Sequence, residues 1–331
     1  VGGLPRANLA RVLADGTVSS WNPGADAAVR ALALRGGVLY VGGDFLTLGG
    51  VARNRVGALD PTLGTVSAWN PNAGGSVRAL SVSATAVYIG GQFTTIGGAA
   101  LSNLAQVNLT TGAPNTGFIP NPNNAVYALA LDEVGSLLYV GGAFSILDGV
   151  TRNRVAQIDA GSGLSTLWNA GCNNTVFSIA LSPSAVYVGG LFTQIGVSLR
   201  NRIAALSVAT GTPTAWNPNA DNGVSSVVLS GSTLLAGGDF LNISGVARSR
   251  VAALDVATGT ASAWDPTAFG SVNVVVPANG KVFVGGQFNG VGGQPRKNTA
   301  AFSLATGQPT AWAPQPNTII QTLIPGPNSI Y

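Results

Sequence analysis

One short motif recurs along this chain and restricts its fold more than any other feature: an apolar residue, two glycines, a variable residue and phenylalanine. It occupies residues 41–45, 89–93, 140–144, 188–192, 236–240 and 284–288, at spacings of 48, 51, 48, 48 and 48. An aromatic ahead of a turn follows each copy, at Trp69, Phe118, Trp168, Trp216, Trp264 and Trp312, and Trp21 makes a seventh. Self-similarity at such a period signals stacked supersecondary units, each burying its apolar face against the next.

Within the second repeat, residues 29–34, 38–45, 55–60 and 66–69 are short β-prone runs separated by turn residues, the pattern of antiparallel strands. Helical i, i+3, i+4 spacing is absent, which excludes helical solenoids. First strands start near Val29, Val77, Val126, Val176, Val224, Val272 and Ile319, and third strands near Asn8, Asn54, Asn103, Asn153, Asn201, Ser249 and Asn298, so both counts give seven. The expected fold is all-β: a seven-bladed β-propeller of four-stranded antiparallel blades, with one blade shared between the N- and C-terminal strands.

The whole of 1–331 then forms one domain, with six complete blades from about 28 to 314 and a split blade from 1–22 plus 319–331. In the split blade, residues 8–14 and 18–21 read as third and fourth strands, 319–324 as a first, and 329–331 as the opening of a second. Val1-Gly2-Gly3 either continues the strand begun at Ser329 or matches Leu48-Gly49-Gly50 in the loop between second and third strands.

Composition narrows the function. The chain has 46 Gly, 8% charged and 46% apolar residues, unlike a disordered chain. No apolar run reaches the roughly 18 residues that cross a bilayer, so membrane insertion is not expected. The net charge of +4 rests on 16 basic residues, of which only Lys281 and Lys297 are lysine, which argues against nucleic acid as a partner. The chain begins at Val1 without Met and without a basic-then-apolar leader, as expected of a processed protein or a piece of a longer polypeptide. Cys172 has no cysteine to pair with in the chain and reads as a small loop residue, and Asn108, Asn173 and Asn242 lie in Asn-x-Ser/Thr sequons.

Histidine is absent, which removes Ser-His and Cys-His catalysis and zinc sites of His and Cys. No carboxylate pair recurs: Asp132 and Glu133 read as a solvated hairpin turn, and Asp44 and Asp239 follow glycine pairs where other repeats carry Gln, Ala or Leu. No Asp-x-Asp-x-Asp calcium loop occurs. No catalytic residue, cofactor or metal is expected.

The recurring residues read as structural first. A glycine pair inside a strand signals close backbone approach or a bulge, here making room for a neighbour's aromatic, with the phenylalanines as fillers. The tryptophans read as packing residues whose indole N–H finds a partner at the rim, against the alternative of a sugar platform. Arginine recurs where the third strand starts, at Arg6, Arg53, Arg152, Arg200, Arg248 and Arg296, with Ser102 in its place in the third repeat. These arginines are expected to bond carbonyls or a carboxylate and hold one blade against the next. A second arginine two residues on, at Arg55, Arg154, Arg202 and Arg250, reads as pointing outward and is the candidate for surface contact.

Four motifs in order, "VRALAL", "LYVGGDF", "GGVARNRVGAL" and "AWNP" across residues 29–71, resemble the delta-60 repeats of bacterial surface and secreted proteins. Similar repeats occur in fungal cortical polarity-marker proteins. The resemblance covers essentially the whole chain, with Phe118, Ser102 and the short closing blade as departures. It implies a β-propeller, an extracellular or cell-surface location and often a longer polypeptide, but no activity. Two functions are compatible with it. One is a non-enzymatic structural or assembly unit of a surface layer, sheath or filament, with other protein chains as partners. The alternative is a carbohydrate- or protein-binding module of a secreted adhesin.

Overall fold

The computed structural model describes all 331 residues. The protein is all-β, without helices, and consists of many small antiparallel sheets. Since no helix is present, none is long and apolar enough to cross a membrane. The chain divides into two compact units: one contains residues 5–11 and 19–171, the other residues 1–4, 12–18 and 172–331.

The first of these holds three sheets of the same form. In the second repeat, Val29–Arg35 and Val56–Leu59 flank Val38–Gly43. The third repeat places Ala86–Gln92 between Ser76–Val82 and Leu104–Asn108, and the fourth places Leu137–Gly142 between Val126–Asp132 and Val155–Asp159. The other unit repeats this arrangement around Ala185–Gly190, Thr233–Gly238 and Lys281–Val291. The central strand is the most buried one, as in Ala185–Gly190, buried at all positions; paired on both edges and covered on both faces, it keeps polar side chains such as Gln92, Thr233 and Lys281 to its ends.

Each first strand carries a bulge at the same place. Val29 pairs with Gly43 but Ala31 with Gly42, so Arg30 is extruded, and the shift recurs at Val77/Ala79, Val126/Ala128, Val176/Ser178, Val224/Ser226 and Val272/Val274. The bulge accounts for both glycines. It brings the carbonyl ahead of the first strand onto the second glycine, where a Cβ would lie 2.1 Å from Ala28 O at Gly43 and 2.1 Å from Gly223 O at Gly238. The first glycine receives a side chain from the following repeat: a Cβ on Gly42 would lie 2.4 Å from Val77 Cγ1, and one on Gly90 2.6 Å from Val126 Cγ1. The close approach expected from sequence is present, but a first-strand valine fills it, not an aromatic. The phenylalanines belong to cores shared by consecutive repeats, as Phe240 does with Tyr187, Ile203 and Trp216, and Phe45, Phe144, Phe192 and Phe240 are fully buried.

The expected fourth strand contributes one bridge. Val66 pairs with Leu59 in isolation, as Ser165 does with Ile158 and Ala261 with Leu254. The ladder ends there because the next residues turn: Ser67 N–H still bonds Ala58 O, but the Ser67 hydroxyl then accepts from Trp69 N–H. The loop between second and third strands is itself a small ribbon, Thr47–Leu48 with Val51–Ala52 in the second repeat.

Both ends of the chain build one sheet in the second unit, with Val12–Leu13 paired to Ser329–Ile330 and that strand to Pro325–Gly326. Ile324 and Tyr331 extend it by two mutual hydrogen bonds of 3.2 and 3.0 Å. Residues 319–323, expected as strand, lie outside the ladder, whose last bonded pair is Ile324 and Tyr331. Val1-Gly2-Gly3 takes the loop alignment. Gly2 and Gly3 have φ of 54° and 76°, Gly292 and Gly293 have 51° and 74°, and Gly2 N–H bonds Pro314 O as Gly292 N–H bonds Thr267 O.

The two kinds of glycine differ in what a side chain would cost. Gly238→Ala places a methyl against backbone that cannot yield, and is expected to lower unfolding free energy by about 2–4 kcal/mol. Gly36→Ala, in an open turn at φ 58°, is expected to cost about 1 kcal/mol. Urea denaturation of the two variants measures the difference, and equal losses would contradict the bulge contact.

Candidate functional site

The first arginine set forms six copies of one clip. Arg53 Nη1 donates to Ala52 O at 2.8 Å and Nη2 to Ser67 O at 2.5 Å. Arg152 does the same to Thr151 O and Thr166 O, and Arg200 to Leu199 O and Thr214 O. Arg6, Arg248 and Arg296 complete the set. Each clip ties the ribbon to the turn before the tryptophan, 13 residues on from Arg6 and 14 from the others, so it braces its own repeat instead of joining two. A guanidinium presents its donors as a rigid fork, and here the fork fits two carbonyls that the interrupted ladder leaves without strand partners.

In the third repeat the clip position is Leu101, not Ser102. Asn103, two residues after Leu101, has φ 64°, matching Arg55 at 64° two residues after Arg53. Leu101 is buried, and the turn it cannot brace is held by Asn115 Nδ2 on Gln106 Oε1 at 2.6 Å. Phe118 belongs to the same local change. Tryptophan elsewhere bonds a carbonyl 39 residues on, as Trp69 Nε1 does Asn108 O at 3.1 Å and Trp216 Nε1 does Asp255 O at 2.9 Å. Phe118 has no donor, and Tyr88 Oη and Gln106 Nε2 bond Ala160 O instead. The tryptophans are buried, with edge-on aromatic partners such as Tyr187–Trp216 at 5.1 Å, so they pack and do not offer a platform.

Arg55, Arg154, Arg202 and Arg250 sit at positive φ, between 64° and 68°, a region where arginine is strained. The conformation lets each backbone N–H and carbonyl reach the end of the central strand: Arg55 N–H bonds Phe45 O and Gly43 N–H bonds Arg55 O. Their side chains fold onto carbonyls instead of pointing outward. Arg55 and Arg250 donate to Ala73 O and Ala268 O at 3.2 Å, Arg154 to Phe144 O at 3.1 Å and Arg202 to Leu191 O at 2.5 Å. Where the residue is Asn8, Asn103 or Asn298, its amide makes the equivalent bond.

The bulge assembles a polar cluster in the first unit that sequence reasoning missed. Arg30 reaches Asp44 through Nη2 at 2.6 Å and Nε at 2.7 Å, and Ser76 Oγ donates to Asp44 Oδ1 at 2.6 Å. Burial pushes the Asp44 pKa up, but the Arg30 and Ser76 hydrogen bonds and the charges of Arg30 and Arg78 outweigh it and hold the carboxyl below its ordinary value. Arg78, extruded by the next bulge, lies 5.5 Å from the centre of the Tyr127 ring. The glycine pair had pointed to a bulge, but only the register shows which side chain it ejects. Glu133, read as solvated, pairs with Arg35 at 3.0 Å and accepts from Ala84 N–H. It reaches them because its hairpin has four residues between Asp132 and Leu137, against two between Arg35 and Val38.

The second unit contains a cavity of about 430 Å³, lined by Phe269, Gln287, Asn289, Lys297, Asn317 and Ile319 among others. An exposed ring beside amides and one ammonium suits a polar, neutral or acidic ligand. No group of three acidic or cysteine side chains is placed to hold a metal ion. Cys172 is buried at the ribbon, bridged to Ile195 as Ala25 is to Leu48. The sequon residues are engaged in turns: Asn108 Oδ1 accepts from Thr110 and Thr111, Asn173 Oδ1 from Thr193 and Gln194, and Asn242 donates to Asp221.

The aspartates cap backbone as the arginines do. Hydrogen bonds from backbone N–H groups lower the pKa of Asp15, Asp26, Asp60, Asp159 and Asp255 from 3.8, and at Asp221 bonds from Asn242 and Leu241 overcome a larger opposing effect of burial. A carboxylate with a lowered folded pKa contributes stability that is complete above its unfolded pKa and lost as pH falls through the folded one. The melting temperature is therefore expected to hold between about pH 7 and 5 and to fall below about pH 4. Thermal melts across that range test this, and a midpoint unchanged to about pH 2.5 would contradict the caps.

No family model matches the sequence, and no curated protein is similar to it. Among solved structures, the chain is similar to the crystal structure of the computationally designed Ika8 protein. The TM-score is 0.57 at 14% identity, over 91% of this chain and 92% of that one. At that identity the likeness is one of fold alone.

Proposed function

We propose that the repeats are the blades of a seven-bladed β-propeller of the delta-60 type, and that it is a non-enzymatic structural or assembly unit of an extracellular layer, sheath or filament. Support comes first from the use of the repeated polar residues: clip arginines, positive-φ arginines, tryptophans and aspartates all bond the protein's own backbone. The observation that carries the reading is on the ribbons. Leu4, Val51, Val150 and Val246 occupy one ribbon position in four repeats and are 45%, 42%, 41% and 42% exposed. A single exposed aliphatic is ordinary, but the same position left apolar and accessible in two repeats of each compact unit suits contact with other protein chains.

The cavity beside Phe269 favours a second reading, a carbohydrate-binding module. Glycan retention lost in Phe269→Ala would support it.

Sedimentation velocity over a rising concentration series tests the assembly reading. The protein is expected to form larger species, and the triple variant Val51→Lys, Val150→Lys, Val246→Lys to need about tenfold more protein for the same extent, a change of about 1.4 kcal/mol, with its melting temperature kept. A protein that stays monomeric at every concentration would contradict it.

A further inference from the structure

The bulges of the first unit do more than shape its sheets. In three consecutive repeats they eject Arg30, Arg78 and Tyr127 from the first strands, whereas in the second unit they eject Phe177, Ser225 and Asn273, none of them charged. Arg30 finds its carboxylate within its own repeat. Asp44, whose N–H bonds Ala28 O, takes both Arg30 Nε and Nη2. One repeat further on, Gln92 stands where Asp44 does, paired with Ser76 in the same register, and it is exposed. Arg78 therefore lacks the carboxylate that Arg30 has.

The guanidinium of Arg78 is unspent as a result. The clip and positive-φ arginines, Arg30 and Arg35 all donate to carbonyls or carboxylates, but Arg78 makes no hydrogen bond or ion pair with the protein, and its Nε is buried. It is half-buried and lies 5.5 Å from the centre of the Tyr127 ring, a contact that holds a cation without neutralising it. Asp44 does not neutralise it either, because Arg30 and Ser76 Oγ already occupy its oxygens. Burial raises the Asp44 pKa, but those bonds and the charges of Arg30 and Arg78 hold it below its ordinary value, so the carboxylate is ionised at neutral pH. Two guanidinium groups then share one carboxylate, one negative charge short of balance.

We propose that Arg78 anchors a binding site for a uronic acid, a sugar that carries one carboxylate among hydroxyl groups. The ligand carboxylate takes the place on the Arg78 fork that Asp44 takes on Arg30, a planar pairing that suits a guanidinium. Ser76, two residues before Arg78, and Gln92 across the ladder from it bring a hydroxyl oxygen and an amide to the same end of the sheet, where they serve the sugar hydroxyls. Tyr127 keeps the guanidinium in position. The site lies wholly within the first unit and rests on neither the assembly reading nor the cavity beside Phe269, so the tests of those readings do not decide it.

Isothermal titration of the protein with sodium glucuronate at low ionic strength tests the site, with glucose, acetate and N-acetylaspartate amide as comparison ligands. Saturable binding of glucuronate is expected, at least about tenfold tighter than that of the other three and weakened by added salt. Arg78→Lys, which keeps the charge but not the fork, is expected to weaken it about tenfold. Gln92→Asp is the sharper variant, an exposed change that gives Arg78 the internal partner Arg30 has; it is expected to abolish glucuronate binding with the melting temperature kept. No saturable binding, or binding unchanged in Gln92→Asp, overturns the site. Acetate or N-acetylaspartate amide bound as tightly as glucuronate overturns the sugar as its ligand.

Discussion

Each sheet depends on the contact between the second glycine of its central strand and the carbonyl ahead of its first strand. At 2.1 Å from a would-be Cβ, the contact admits no side chain, and it exists because the first strand is bulged. The bulge increases the local twist and re-aims a residue, which is how Arg30 and Arg78 reach Asp44 and Tyr127. It also sets the first-strand valine against the other glycine of the preceding repeat, so one irregularity shapes the sheet and locks it to its neighbour.

With charged residues only 8% of the chain, the use of each matters. A repeat with a short third strand and a single-bridge fourth leaves carbonyls and N–H groups without ladder partners, and buried backbone groups need partners. Arginine forks take the carbonyls and aspartate or asparagine oxygens take the N–H groups. The third repeat shows the same demand met differently: Leu101 and Phe118 replace clip and indole, and Gln106, Asn115 and Tyr88 provide the bonds.

Periodicity made the repeats, the strand order and the shared closing sheet readable, because a repeat tests each assignment several times over. Three things were not readable. The register of the arginines needed the positive φ of Arg55 and Asn103, a backbone property that arginine does not advertise, and so Ser102 was aligned where Leu101 stands. The fourth strand looked β-prone at residues 66–69, but a serine hydroxyl two residues before the tryptophan turns the chain. The outward direction expected of Arg55, Arg154, Arg202 and Arg250 failed to anticipate how strongly nearby carbonyls compete for a guanidinium.

The central claim is that the bulged first strand and the paired glycines give the six complete sheets one interlocked form, which the short closing sheet lacks. Amide hydrogen exchange followed by mass spectrometry tests it most directly, by comparing residues 319–323 with residues 271–275 at the same place in the repeat. Strong protection is predicted in 271–275 and, in 319–323, protection confined to Ile320, whose N–H bonds Gly286 O at 3.1 Å, since buried strand amides open only with their sheet. Equal protection in the two segments would contradict it.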